Sequence, residues 1–253
     1  MPERSEPIPM PDLWFMDNFK AWPVVGVCAG AEVDMTAAKR LVQRMRDDGF
    51  PGTYAHLFIR AVALALKRNP DLHFIVHKNR RIYPDTIDLG LTFGDEGFVT
   101  SLLQLKDAGN KSLKTLAQEI DHLVSQARTQ EPAHFPTLRR WGWVFPGWLR
   151  SRVLKHLWSQ LSFQRTHSAP FIVSYMNQVD FSIPFVVSGT AQIEAGRVRD
   201  RVMVVDGKPE VRPSAMMMCG ADHKVWNGGH VQRLLAEISK ILRRGELNEE
   251  WSK

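Results

Sequence analysis

The amino-acid sequence predicts a single domain of the mixed α/β class. Long segments with apolar residues at helical spacing alternate along the chain with short β-rich segments bounded by turn residues. No internal repeat is visible, which argues against a solenoid. With 253 residues, 44% of them hydrophobic and 24% charged, the chain has a globular composition and enough length to bury a core. We divide it into an N-terminal arm, residues 1–20, and a domain, residues 21–253.

Helices are predicted where apolar residues recur three and four positions apart. They cover residues 35–46, 53–68, 112–128 and 229–243, and a further apolar stripe runs from 148 to 161. Asp34 is predicted to cap the first helix, and Asn69-Pro70 ends the second.

Strands are predicted where β-rich residues lie between turn residues. The predicted strands are residues 24–33, 74–76, 81–83, 87–93, 98–99, 171–173 and 185–188. Residues 202–205 and 210–219 form a predicted hairpin, because Asp206-Gly207 is a favoured two-residue turn.

Composition excludes several classes of protein. No apolar run approaches the roughly 18 residues that a membrane span needs. Cys28 and Cys219 are the only cysteines in the sequence, too few for a disulfide scaffold or a Cys-rich zinc site. No metal-ligand cluster or phosphate loop is visible, so we expect no metal. The N-terminus lacks a signal pattern, so a cytoplasmic location is the default expectation.

The net charge of +6 comes from one internal segment. Between Glu131 and Asp180 lie 48 residues without a carboxylate, and they contain six bases, whereas the rest of the chain has 27 bases and 27 acids. The six are Arg139, Arg140, Arg150, Arg152, Lys155 and Arg165. So small and local an excess argues against nucleic-acid binding.

A candidate for catalysis follows the predicted hairpin. The chain reads Asp222-His223-Lys224-Val225-Trp226-Asn227-Gly228, which places a histidine between the end of a strand and the glycine-rich start of a helix. Strand and helix fix the backbone there while the loop exposes the ring, and histidine accepts a proton near neutral pH. The alternative is a structural histidine that stabilises the loop.

This stretch resembles the His-x-x-x-Asp-Gly motif of the chloramphenicol-acetyltransferase-like acyltransferases. It is closest to the Asp-His-Arg-x-x-Asp-Gly form in the catalytic core of the dihydrolipoyl acyltransferases of 2-oxo acid dehydrogenase complexes. Other segments resemble that core in order and spacing: residues 33–70, 87–99, 106–113 and 171–174, and the terminal helix. The resemblance implies a chloramphenicol-acetyltransferase-like fold, with a mixed sheet flanked by helices.

The resemblance also implies roles for individual residues. His223 would be the general base, and Ser174 would donate to the tetrahedral oxyanion. In the family these two groups meet across a trimer interface, so we expect a homotrimer. Asn227 stands where the family has Asp. Asparagine keeps a hydrogen-bonding carbonyl but lacks the charge of aspartate. Lys224, a candidate substrate-binding residue, replaces the usual Arg.

The implied function is acyl transfer from a thioester to a hydroxyl or amine acceptor. No bound cofactor is expected, and coenzyme A or an acyl carrier protein would carry the thioester. Because the family-like core begins near residue 20, without a lipoyl-bearing domain before it, we expect a freestanding enzyme. Loss of the motif Asp favours an alternative, a non-catalytic trimeric scaffold. A condensation step on carrier-bound substrates is a third interpretation.

Residues 130–169 read as an insertion, and they hold most of the carboxylate-free segment. Three interpretations compete. In the first, the helix packs its apolar stripe on the body with its bases solvated. Alternatively Arg150, Arg152 and Lys155 bind an acidic thioester donor. In the third interpretation the helix makes peripheral contact with a membrane.

Overall fold

The computed structural model describes residues 4–7, 26–93, 101–129, 146–186 and 189–251. The strands are β1 Arg4–Pro7, β2 Gly26–Asp34, β3 Ile75–His77, β4 Arg80–Tyr83, β5 Leu89–Phe93, β6 Ser101–Leu105, β7 Phe171–Tyr175, β8 Ala191–Ala195, β9 Arg199–Val205 and β10 Lys208–Asp222. The α-helices are α1 Thr36–Asp47, α2 Tyr54–Arg68, α3 Leu113–Thr129, α4 Gly147–Trp158, α5 Leu161–His167, α6 Gly228–Arg244 and α7 Glu246–Trp251. The predicted mixed α/β class is confirmed.

The main sheet has seven strands. Its order is β2-β10-β8-β7-β5-β6, with β9 paired to the first half of β10. The pairs β5–β7 and β7–β8 are parallel and the others are antiparallel, so the sheet is mixed. A second sheet of three short strands has the order β1-β4-β3. Strand β1 (Arg4–Pro7) lies within the predicted arm, and it pairs antiparallel with β4.

One face of the main sheet forms the hydrophobic core. Alternate residues of β7 and β8, such as Phe171, Val173 and Ile193, are fully buried in a cluster with apolar residues of α1, α2 and α6. Helix α6 contributes its stripe at Val231, Leu234 and neighbouring positions, as its 3.6-residue period predicts. Apolar burial of this kind is the dominant stabilising contribution to the fold.

A loop crosses the opposite face of the sheet. Two glycines there have no room for a Cβ atom, because backbone oxygens occupy the space: that of Asp180 at Gly196 and that of Pro184 at Gly220. The N–H of Arg197 also donates to the carbonyl of Val179 at 2.8 Å. Segment 177–186 is therefore packed directly on β8 and β10.

Several predicted elements are confirmed. Thr53 begins the second helix as its N-cap, with its hydroxyl accepting the N–H of His56 at 3.4 Å. The hairpin turns at Asp206-Gly207, whose φ angles of 49° and 78° lie in the left-handed region that this turn requires.

Other predictions are wrong in detail. Met35, not Asp34, is the N-cap of α1, and the Asp34 carboxylate instead accepts the N–H of Thr36 at 2.8 Å. Residues 185–186 form no strand, and 187–188 lie outside the described residues. The strand lies at Ala191–Ala195, where small and polar residues predominate. The stripe at 148–161 is divided between α4 and α5. The strand predicted at 98–99 and most of the arm lie outside the described residues.

Buried histidines make stability depend on pH. His73 is buried, and its Nε2 donates to the backbone carbonyl of Asp88 at 3.0 Å. Burial lowers the pKa of His73, and it also lowers the pKa of His56, whose Nε2 lies 3.1 Å from Asp121. The folded chain therefore binds protons at these two sites less readily than the unfolded chain.

We expect the free energy of unfolding to fall on acidification. Between about pH 7.5 and about pH 5.5 each such histidine should remove on the order of 1 kcal/mol, because the unfolded ring takes up a proton below its ordinary pKa. Urea unfolding at a fixed protein concentration measures this. The variant His73→Gln should show a shallower dependence, and His122→Gln, on the exposed surface of α3, serves as the control. Equal slopes for wild type and His73→Gln would contradict the assignment.

Candidate active site

The His223 turn is held by hydrogen bonds to one residue. Asp222 is the last residue of β10, and its carbonyl oxygen accepts the N–H groups of Val225 at 3.0 Å and Trp226 at 2.9 Å. Its carboxylate accepts the N–H of Lys224 at 3.0 Å. Three bonds to Asp222 thus fix the backbone between β10 and α6.

The hydrogen bond of the His223 ring determines its tautomer. Its Nδ1 lies 3.0 Å from the carbonyl oxygen of Trp226. A carbonyl oxygen can only accept, so Nδ1 carries the proton, and in the neutral ring Nε2 holds the lone pair. The half-buried ring therefore has the protonation pattern that a general base at Nε2 requires.

Trp226 holds that carbonyl in place. Its side chain is 1% exposed and lies between the rings of Phe74, Phe171 and His230, with centroid separations of 6.3, 6.1 and 6.0 Å. A large ring fixed in the core restricts its own backbone, and hence the position of the carbonyl that His223 contacts.

Asn227 has a structural role. It is the N-cap of α6, and its side-chain oxygen accepts the N–H of His230 at 3.0 Å. The N–H of Asn227 donates in return to Nδ1 of His230 at 3.3 Å, which completes a capping box. Asn and Asp are similarly effective N-caps, so this position needs no charge to begin the helix.

Lys224 contacts its own loop. Its Nζ lies 3.5 Å from Oδ2 of Asp222, and both side chains are partly exposed. The predicted role of Lys224 in substrate binding stays a prediction, since an exposed pair of this kind contributes little energy and can exchange partners.

Ser174 lies on β7, 7% exposed, on the sheet face opposite the core. It pairs with Glu194 of β8, and Glu194 pairs with Met218 of β10, five positions before His223. Five residues of strand span about 17 Å, and two strand spacings add about 10 Å across the sheet. The structure does not bring Ser174 and His223 together within one chain.

Glu194 is a residue that the sequence interpretation missed. It is 5% exposed and occupies the position beside Ser174, on the same face of the sheet. Nε2 of Gln192 donates to its Oε1 at 2.7 Å, whereas Oε2 is buried and has no hydrogen-bond partner among the described residues. Burial, followed by the charge of Glu194, raises the pKa of the Cys28 thiol.

A signal for Glu194 exists in the sequence. Gln192 and Glu194 alternate with Ala191, Ile193 and Ala195, which is the period of two that a strand requires. Ile193 is the only β-branched residue among these five and none is aromatic, so the sequence did not predict the strand.

The three bases proposed to bind the thioester donor belong to the insertion, and that role stays a prediction. They lie on α4, where Arg152 is exposed; the side chains of Arg150 and Lys155 are outside the described part. Nε2 of Gln104, on β6, donates to the carbonyls of Thr166 at 2.9 Å and Ser168 at 2.8 Å. The end of the insertion is therefore tied to β6, four strands or about 19 Å across the sheet from β10.

Two features are absent from the described residues. They contain no group of three or more His, Cys, Asp or Glu side chains that could hold a metal ion. Nor does this part of the chain contain a helix long and apolar enough to cross a membrane.

The chain is similar to known acyltransferases in sequence. Residues 20–134 match the family model of the catalytic domain of the 2-oxoacid dehydrogenase acyltransferases. The dihydrolipoyllysine-residue succinyltransferase component of the 2-oxoglutarate dehydrogenase complex of Bartonella vinsonii subsp. berkhoffii is 24% identical over 228 residues. That alignment covers 85% of this chain but 47% of the relative, so the chain spans about half the length of that protein.

Solved structures share the fold. A dihydrolipoamide acetyltransferase from Azotobacter vinelandii aligns with a TM-score of 0.67 and 18% identity, over 94% of this chain and 91% of that one. A chloramphenicol acetyltransferase aligns with a TM-score of 0.60 and 14% identity, over 94% of this chain and 100% of that one. The predicted chloramphenicol-acetyltransferase-like fold is confirmed.

The resemblance predicted from the sequence is also confirmed. The fold and the matching relatives are those of acyltransferases, which are transferases, the enzyme class that the motif predicted. The similarity is specifically to the catalytic domains of 2-oxoacid dehydrogenase acyltransferases. The family-model match ends at residue 134, before Ser174 and His223, so the roles of these two residues stay predictions.

The role of Asn227 as a cap gives a testable prediction. Replacement by Ala removes the acceptor for the N–H of His230, so we expect Asn227→Ala to lower the free energy of unfolding by about 1 kcal/mol. Asn227→Asp keeps that acceptor and is the control, with stability within about 0.5 kcal/mol of wild type. Chemical denaturation measures both, and a loss of stability with Asp equal to that with Ala would contradict the cap.

Proposed function

We propose that this chain is an acyltransferase of the 2-oxoacid dehydrogenase type that uses a thioester of coenzyme A or of a carrier protein. The acceptor would be a hydroxyl or an amine. The observation that carries the proposal is the hydrogen bond from Nδ1 of His223 to the carbonyl of Trp226, which leaves the Nε2 lone pair to act as a base.

The proposed reaction has two steps. Nε2 of His223 takes the proton of the acceptor O–H or N–H as the acceptor attacks the thioester carbonyl, which becomes a tetrahedral oxyanion. Ser174 donates a hydrogen bond to that oxyanion. The intermediate then collapses, the C–S bond breaks, and the leaving thiolate receives the proton from Nε2. The acyl group ends on the acceptor and the free thiol leaves.

The two catalytic groups would come from different chains. Because Ser174 and His223 lie at opposite ends of the sheet, a site that uses both needs a second copy of the chain. This supports the homotrimer that the resemblance implies, in which each site joins His223 of one chain to Ser174 of the next.

Two observations on Asn227 favour an active enzyme over a scaffold. The position needs a helix cap, which Asn supplies. In the Azotobacter vinelandii enzyme a serine, a histidine and an asparagine are studied for their role in the catalytic mechanism, and the asparagine follows the histidine by four positions. Asn227 follows His223 by the same interval.

Glu194 favours the alternative, a non-catalytic trimeric scaffold. A carboxylate beside Ser174 competes for its hydroxyl proton, and when ionised it destabilises an oxyanion nearby. No activity in wild type, in Asn227→Asp or in Glu194→Gln, with any thioester tested, would establish the scaffold.

Mixing two inactive variants tests the shared site. His223→Ala and Ser174→Ala should each lower thioester transfer by on the order of 10²–10³-fold. In mixed trimers of equal amounts, about a quarter of the interfaces would combine an intact His223 with an intact Ser174, so co-expression should restore about a quarter of wild-type activity.

The control for mixing is the double variant His223→Ala/Ser174→Ala co-expressed with His223→Ala. This pair has no intact His223 at any interface and should stay inactive. Mixed trimers that remain inactive although each single variant folds would contradict a site shared between chains.

Replacing Glu194 tests whether its negative charge slows the reaction or binds the acceptor. With an uncharged alcohol acceptor, we expect Glu194→Gln to raise kcat about 10-fold, because a negative charge beside the oxyanion is removed. Glu210→Gln, on the exposed hairpin, is the control. A rise in KM confined to cationic amine acceptors would contradict this expectation and assign Glu194 to binding the acceptor.

A further inference from the structure

Segment 177–186 runs along the face of the main sheet opposite the core. The carbonyl oxygen of Asp180 occupies the place of a side chain at Gly196, immediately after the end of β8. The carbonyl oxygen of Pro184 does the same at Gly220, near the end of β10. The backbone of the segment is therefore in direct contact with the sheet at two separate points.

These two points lie near the two proposed catalytic groups. Gly196 follows Glu194 by two residues, and Glu194 is the partner of Ser174 across the β7–β8 pair. Gly220 precedes His223 by three residues. The crossing segment thus connects the end of the sheet that carries Ser174 with the end that carries His223.

Alternate side chains of the segment are exposed. Asp180 and Ser182 are half-buried and Pro184 is buried, as an extended chain with one covered face requires. The residues between them form an exposed apolar row: Val179, 43% exposed; Phe181, 55%; Ile183, 52%; and Phe185, 80%.

Polar contacts hold the beginning of the apolar row in place. Nε of Arg197 donates to the Asp180 carboxylate at 2.7 Å, and the guanidinium of Arg199 lies 2.8 Å from the same carboxylate. The N–H of Arg197 donates to the carbonyl of Val179 at 2.8 Å. An anchored backbone presents the row without the ordering cost that a flexible loop adds on association.

The row is large enough to be an interaction surface. Four side chains exposed to these fractions present on the order of 400 Å² of apolar surface, the size at which a patch on a monomer is often functional. Each partner in a standard protein interface buries about 800 Å², so the row would supply roughly half of one.

The geometry of the proposed site identifies the occupant. Under the proposed function, on which this inference rests, a second copy of the chain brings His223 to Ser174 of the first. The row begins five residues after Ser174 and lies on the same face of the sheet, so a chain placed over Ser174 meets it. A small ligand is a poor occupant, because it needs a concave site that covers most of its surface.

We infer that the apolar row of segment 177–186 is the surface on which a second copy of this chain packs. Burial of the row and assembly of the shared site are then one event. In a closed ring each chain contacts two neighbours through different patches. Because the segment reaches from the Ser174 end to the His223 end, the row borders both of the sites in which its chain takes part.

Sedimentation tests the inference without a measurement of activity. The variant Ile183→Ser/Phe185→Ser replaces two exposed apolar side chains and leaves the core of the single chain intact. It should sediment as a monomer at concentrations at which wild type is assembled. The dissociation constant should rise by at least about 100-fold, since a few apolar anchors carry most of the energy of an interface.

The matched control is Trp148→Ser/Val153→Ser. It also removes an aromatic and a branched aliphatic side chain, 68% and 49% exposed, but on α4 and away from the row. This variant should assemble as wild type does. Circular dichroism of both double variants establishes that they are folded.

Thioester transfer separates this inference from the proposed function. The specific activity of Ile183→Ser/Phe185→Ser should rise with protein concentration, in step with its assembled fraction, while that of wild type stays constant. If the row variant dissociates but wild type turns over no thioester, the interface stands and the proposed function fails.

Three results would overturn the inference. They are a wild type that is monomeric, an Ile183→Ser/Phe185→Ser variant that assembles as wild type does, and equal dissociation of the two double variants.

Discussion

Strand β10 is the constraint on which the rest of the structure depends. Its first half is hydrogen-bonded to β9 and its second half to both β2 and β8, so it sets the register of three strands. Its last residue, Asp222, then accepts three backbone N–H groups of the turn that carries His223. A slip of one residue would exchange the two faces of the strand and so remove Met217, Cys219 and Ala221 from the core. Core packing and the orientation of His223 therefore depend on the same set of hydrogen bonds.

The two faces of the main sheet differ in the groups that pack on them. One face is covered by α1, α2 and α6 and supplies the apolar contacts that stabilise the domain. On the other face lie Ser174 and Glu194, and segment 177–186 packs so closely there that Gly196 and Gly220 have no space for a side chain. Ser174, Gln192 and Glu194 are also buried on this second face. Among the described residues Oε2 of Glu194 has no hydrogen-bond partner, and a buried polar atom without one is costly enough to mark a site of functional interest.

Distance within the sheet also decides how a site can form. His223 and Ser174 are held on rigid elements about 17 Å apart along the strands, so no loop movement of ordinary size brings them into contact. A rigid element has a fixed position only relative to the rest of its own chain. Under the proposed function, a second chain supplies the other half of the site. The described end of the insertion is tied to the β6 edge, four strands from β10.

The sequence by itself determined the features that depend on neighbouring residues. The helices α1, α2, α3 and α6 follow from apolar spacing within each segment, the hairpin from Asp206-Gly207, and the acyltransferase resemblance from the order of short motifs that end at His223. Only the tertiary structure decided what depends on residues far apart in the chain: that Ala191–Ala195 is a central strand, that Glu194 lies beside Ser174, that Ser174 and His223 are separated, and that Trp148 is exposed. The physical reason is that spacing reports which residues share a face of one helix or strand, whereas burial, pairing and distance are fixed by the other elements that pack against it.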